Sequence, residues 1–143
     1  MANESWVWVL EERIPSITKE GSATLEKLLD ALRHQQWSDQ DVFAVHLSLE
    51  EAIVNAILHG NEGDPQRSVD IKFHVAKTHV RIEIVDEGSG FDPDGLPDPT
   101  ADENLEKPSG RGVMLMRHYM DEVQYNKRGN HVIMVKKRVG GSS

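Results

Sequence analysis

Apolar residues recur at helical spacing as far as Gly60 and then at every second position from Val69. This single change of hydrophobic period restricts the chain to folds that lay amphipathic helices on a half-buried sheet. Leu25, Leu28, Leu29 and Leu32 predict a helix over about 17–36. Ser38, with Asp41 three residues on, resembles a capping box. It opens a second helix whose buried stripe is Val42, Val45, Leu49, Ala52, Ile53 and Ala56, with Gly60 as the stop. After the Gly63-Asp64-Pro65 loop, Val69, Ile71, Phe73 and Val75 alternate with polar residues, as do Val80, Ile82 and Ile84. These are two strands with one buried face each, turning near Lys77-Thr78.

The ends of the chain add to the same pattern. Trp6–Leu10 reads as a strand, cut by Pro15. Trp6 and Trp8 would share one face of it, either on the core or at a dimer contact. Val113–Tyr119 predicts a short helix, and Val123–Lys127 with His131–Lys137 a closing hairpin about Arg128-Gly129-Asn130. The fold class expected is α+β, a two-layer sandwich of a mixed, mostly antiparallel sheet with helices on one face. With 143 residues, one domain over 1–139 and a disordered tail over 140–143 are expected.

Charge and composition remove several function classes. A net charge of −8 argues against direct nucleic-acid binding, which draws its affinity from cations displacing counterions. No apolar run approaches the roughly 20 residues of a membrane span, and no secretion signal is visible. Cysteine is absent, which excludes disulfides, thiolate metal sites and thiol nucleophiles. A reducing cytoplasm is the plain expectation. Seven histidines invite a metal reading, yet neither H-E-x-x-H nor any paired histidine spacing occurs.

Three clusters carry chemistry. Glu51, Asn55 and His59 lie four apart on the second helix and therefore share a face. A carboxylate there can take a proton, and an amide oxygen is a neutral hard ligand for Mg²⁺. Glu50 points about 100° away on an ideal helix and is the weaker acid. His59 can line the same pocket or simply end the helix. The second cluster is Asp86-Glu87-Gly88-Ser89-Gly90 at a strand end. Its acid can accept a hydrogen bond from an exocyclic amine, and Gly88 and Gly90 let the backbone approach a flat ligand. The third is Ser109-Gly110-Arg111-Gly112-Val113-Met114, a glycine-rich loop entering a helix and so a candidate anion site. It is neither a Walker A nor a Rossmann fingerprint. Taken singly, each cluster is also compatible with an ordinary helix face, turn or tight loop.

The ordered combination is more specific. EEAIVNAILHGN, VDEGSGFDPD and EKPSGRGVMLMRHYMDEVQYNKRGN, in that sequence, resemble the N, G1 and G2 boxes of the GHKL (Bergerat-fold) ATP-binding superfamily. The similarity runs from about Ile14 to Lys137 and is greatest to the RsbW-like anti-sigma factors with serine-protein kinase activity. The resemblance implies ATP and Mg²⁺ as cofactors, held between the helices and the loop over residues 91–109. It puts the base that deprotonates the attacking serine at Glu51 and the Mg²⁺ amide at Asn55. Adenine recognition falls to Asp86, with Gly88 and Gly90 making room. Main-chain donors at Gly110 and Gly112 would hold phosphate, with Val113 and Met114 starting the helix behind them. Lys107 and Arg111 would neutralise phosphate charge. Pro93, Pro97, Pro99 and Pro108 stiffen a loop read as a nucleotide lid.

The function implied is an ATP-dependent serine-protein kinase acting as an anti-sigma factor. Its substrate would be a STAS-domain anti-sigma factor antagonist, its second partner a sigma factor, and a homodimer is compatible. The alternative is a nucleotide-binding module that sequesters a protein partner without phosphotransfer. A histidine kinase domain finds no support, since no phosphoacceptor helical hairpin precedes the boxes.

Overall fold

Period-two alternation becomes five strands in one sheet, and the residues that alternate inward meet the helices. The computed structural model describes residues 5–88 and 110–139. The elements in order are β1 (Trp8–Pro15), α1 (Thr18–His34), α2 (Asp39–Val54) running into a π-helical turn (Asn55–Gly60), β2 (Ser68–Val75), β3 (His79–Asp86), α3 (Gly110–Tyr119), β4 (Glu122–Tyr125) and β5 (His131–Lys137). The sheet order is β1-β2-β3-β5-β4. Every pairing among the described residues is antiparallel, so the α+β expectation narrows to an antiparallel open sheet. Ile71 faces Ile84 across β2–β3, and Ile84 faces Val132 across β3–β5, which sets one buried row through the sheet centre.

One apolar cluster joins this row to the helices. Val69, Ile71, Phe73, Ile82 and Met134 are fully buried against Leu28, Leu29, Leu32, Val45 and Leu49. Gly21 permits the contact between α1 and the end of α2, since a Cβ there would stand 2.6 Å from Ile53 Cγ2. Asp39–Gly60 is, by length and composition, apolar enough to cross a bilayer, unlike the apolar runs expected from the sequence. Here it is the central core helix, with Val45 and Leu49 at zero exposure.

Ser38 caps α2 as its sequence predicts, its Oγ accepting from the Asp41 N–H at 3.1 Å. Asp41 does not complete the box. Its carboxylate accepts from the Val139 N–H at 2.9 Å and pairs with Lys136 Nζ at 3.4 Å, both groups being buried. A shorter acid than Glu at this position is drawn to a tertiary partner, which fastens the end of β5 to the start of α2.

Trp6 and Trp8 separate, contrary to a shared face. Trp8 stacks on Phe73 at 6.5 Å on the core side, while Trp6, just ahead of β1, lies against the rings of His74 and His79 at 5.0 and 5.4 Å. The strand begins only at Trp8, so strict alternation does not extend to Trp6. Helix α3 starts at Gly110, three residues ahead of the predicted Val113. Burial of Val113 and Met116 where α3 packs against α2 outweighs the poor helix propensity of two glycines.

Candidate functional site

The site forms where the end of α2 meets the end of β3. The helix carrying Glu51 and Asn55 widens into a π turn from Asn55 to Gly60, with the Asn61 N–H reaching back to the Ala56 carbonyl at 2.9 Å. Such widened turns recur at functional positions because they re-aim side chains within one helix. Asn55 and Asp86 line one small cavity together with Ala52, Tyr125 and Asn130. Two of the three sequence clusters therefore meet.

Asp86 is 6% exposed, and burial pushes its carboxyl up to about 6, against the opposing effects of the Gly88 N–H and the Arg128 charge. The Gly88 N–H donates to Asp86 Oδ1 at 2.9 Å. Arg128 Nη2 donates to the Gly88 carbonyl at 3.1 Å, and Asn130 Nδ2 donates to the Asp86 carbonyl at 3.1 Å, so the closing hairpin clamps this turn. Gly60 and Gly88 are in backbone contact: a Cβ on Gly88 would run into the Gly60 carbonyl. Glycine is required at both positions by close approach.

Asn55 is buried, and its amide nitrogen has no well-formed hydrogen-bond partner among the described residues. Its side chain adjoins the Tyr125 phenol. Burial pushes that phenol up to about 12, against the opposing effects of Asn55 and Arg117 and with the carboxylates of Asp86 and Glu51 reinforcing the rise. Tyr125 is thus within electrostatic range of acids from both clusters. An amide oxygen is chemically suited to Mg²⁺, which retains waters and takes further oxygens from phosphate. Among the described residues no three His, Asp or Glu groups converge on a metal.

Glu51 is partly exposed. Glu50 lines a separate groove between α1 and α2 with Gly21, Leu25 and His46. His59 is partly exposed near the end of the π turn. Gly110, Arg111 and Gly112 form the first turn of α3 and not a preceding loop. Val113 is 1% exposed and faces the core, while the Met114 side chain is 67% exposed. Gly90, Lys107 and the whole lid segment lie outside the described residues.

Three participants were not assigned from sequence. Tyr125 and Asn130 come from the closing hairpin, whose return to the site depends on long-range pairing. Asn61 sits inside the quoted EEAIVNAILHGN motif but carried no chemical signal of its own. It is completely buried, and its side chain joins three segments.

The family model for a histidine kinase-like ATPase domain matches residues 18–136. The serine/threonine-protein kinase BtrW of Bordetella bronchiseptica is 29% identical over 73% of this chain and 75% of its own. The serine-protein kinase RsbW of Oceanobacillus iheyensis is 24% identical over 91% of this chain and 86% of its own. The anti-sigma F factor of Bacillus cytotoxicus is 36% identical over 59% of this chain and 60% of its own. A crystal structure of the RsbU and RsbW domains of a Mycobacterium tuberculosis protein superposes with a TM-score of 0.58 at 12% identity, covering 92% of this chain and 32% of that one, a likeness of fold.

Proposed function

The chain belongs to the histidine kinase-like ATPase domain family, and on that premise we propose that it is an ATP-dependent serine-protein kinase that phosphorylates a STAS-domain antagonist and holds a sigma factor inactive. The observation that carries this reading is the single cavity shared by Asn55 and Asp86, one on the central helix and one at the strand end. An ATPase domain implies ATP binding, and relatives named as serine-protein kinase and anti-sigma F factor support the regulatory role.

In this proposal the Asp86 carboxylate accepts a hydrogen bond from the adenine amine. Gly88 and Gly90 keep side chains out of the base plane. Main-chain donors at Gly110 and Gly112 meet the phosphates, and Arg111 and Lys107 offset their charge. Val113 contributes through its backbone alone, because its side chain is in the core. Met114 follows it in the same turn, and His59 borders the pocket from the helix end. Asn55 would hold Mg²⁺ through its amide oxygen, and the cation would supply charge neutralisation across the phosphates. Glu51 takes the proton from the attacking serine hydroxyl. Glu50, in the opposite groove, is not suited to that task.

The test is incubation with γ-labelled ATP, Mg²⁺ and a STAS-domain protein bearing a target serine. Label on the partner's serine supports the kinase; tight ATP binding with label that never leaves ATP supports a sequestering module instead. A pull-down with and without ATP would identify the sigma factor.

A further inference from the structure

We infer that Asn61 is a positioning residue that sets the base selectivity of the nucleotide site; this rests on the reading of Asp86 as the adenine acceptor. Asn61 follows the π turn directly and is fully buried. Its Oδ1 accepts from the Glu87 N–H at 2.8 Å. Its Nδ2 donates to Ser16 Oγ at 2.8 Å and to the Ser68 carbonyl at 2.9 Å. Ser16 Oγ in turn donates to the Arg67 carbonyl at 2.8 Å. One amide therefore ties the end of the central helix to the segments after β1, at the start of β2 and after β3.

Its bond to Glu87 has a consequence beyond folding. Glu87 lies between Asp86 and Gly88, which stand so close to Gly60 that neither Gly60 nor Gly88 has room for a Cβ. Holding the Glu87 N–H fixes how far this turn stands from the helix end, and hence where the Asp86 carboxylate presents itself. Glu87 returns the tie, its Oε2 accepting from the Ser68 N–H at 2.5 Å. No other side chain among the described residues hydrogen-bonds the Glu87 N–H. A neutral amide is suited to the position because it accepts and donates at once. A carboxylate would keep only the acceptor half.

The acceptor bond and the donor bonds can be separated by mutation. Asn61→Ala removes both, Asn61→Asp keeps the acceptor toward Glu87, and Ser16→Ala removes only one donor-side partner. The readout is the ratio of ATP to ITP affinity, since ITP lacks the exocyclic amine. Asn61→Ala is expected to lower ATP affinity about tenfold and bring the ratio near one. Asn61→Asp and Ser16→Ala are expected to keep the parent ratio, even at reduced stability. A folded Asn61→Ala with the parent ratio overturns the inference, as does an Asn61→Asp ratio collapsed to one. Where Asn61→Ala does not fold, hydrogen exchange in Asn61→Asp decides: a protected Glu87 amide with the ratio intact supports the inference, and an unprotected one overturns it. A parent protein that binds ATP and ITP equally would instead remove the assignment of Asp86, which is a separate failure.

Discussion

The Asp86 carboxylate lies against the α-carbon of Gly60, so closely that a Cβ there would stand 2.6 Å from Asp86 Oδ1. Helix end and strand end are thus locked face to face through an acid and a missing side chain. Gly60→Ala is expected to cost about 1–3 kcal/mol of stability by overpacking and to weaken ATP binding by moving Asp86. Urea denaturation and calorimetry check the two effects, and an unchanged ATP affinity would sever the link between this contact and the site.

Asp86 gives the site a pH dependence whose sign can be stated. Its folded carboxyl titrates near 6, above the usual carboxylate value of 3.8. The protonated form is therefore favoured in the folded state. Stability from this group is fully present below about pH 4 and is lost as pH rises through 6. Asp86→Asn should remove that dependence and add about 2–3 kcal/mol at neutral pH. ATP binding runs oppositely, since only the ionised acid accepts from an amine without donating back. Affinity should fall as pH drops from 7 to 5, and titration calorimetry at three pH values would show it.

Glu51 and Asn55 should separate by function. Glu51→Ala is expected to keep ATP affinity within about twofold while transfer falls by 100-fold or more. Asn55→Ala is expected to weaken the Mg²⁺-dependent part of nucleotide binding. Glu50→Ala is the control, because its groove lies between α1 and α2, and it should transfer phosphate as the parent does. Equal loss from Glu50→Ala and Glu51→Ala would remove the assignment of the base.

The Asp41–Lys136 pair offers a test of stability alone. Lys136→Met leaves the buried Asp41 carboxylate with the Val139 N–H as its one remaining partner among the described residues and is expected to cost about 3 kcal/mol. The folded variant should bind ATP as before, since neither group lines the cavity shared by Asn55 and Asp86. Thermal unfolding and nucleotide titration read the two quantities independently.

Much of this molecule is legible in its residues, because burial acts on local periodicity. The alternation Val69-Ile71-Phe73-Val75 and the stripe Val45-Leu49-Ile53 correspond to the elements observed. The meeting of Asn55 with Asp86 followed from the family resemblance, not from spacing, which says nothing about two segments some thirty positions apart. Other features were hidden for physical reasons. The π turn needs one inserted hydrogen-bond step that leaves no compositional mark. Asn61 acts through three partners brought together only by the fold, and Asp41 exchanges a local cap for Lys136. Gly110 and Gly112 read as loop because helix propensity is local, whereas the packing of α3 is not.

The strand order ties the site to the centre of the sheet. β3 and β5 are adjacent, with Val85 opposite His131, so the chain departs from the centre of the sheet and rejoins it one strand over. Among the described residues between these partners, Val113 and Met116 enter the core, and Arg128 and Asn130 return to the turn at Asp86–Gly88. Closing a longer excursion costs only the logarithm of its length. That cost is offset here by contacts that complete the core and assemble the site in one step.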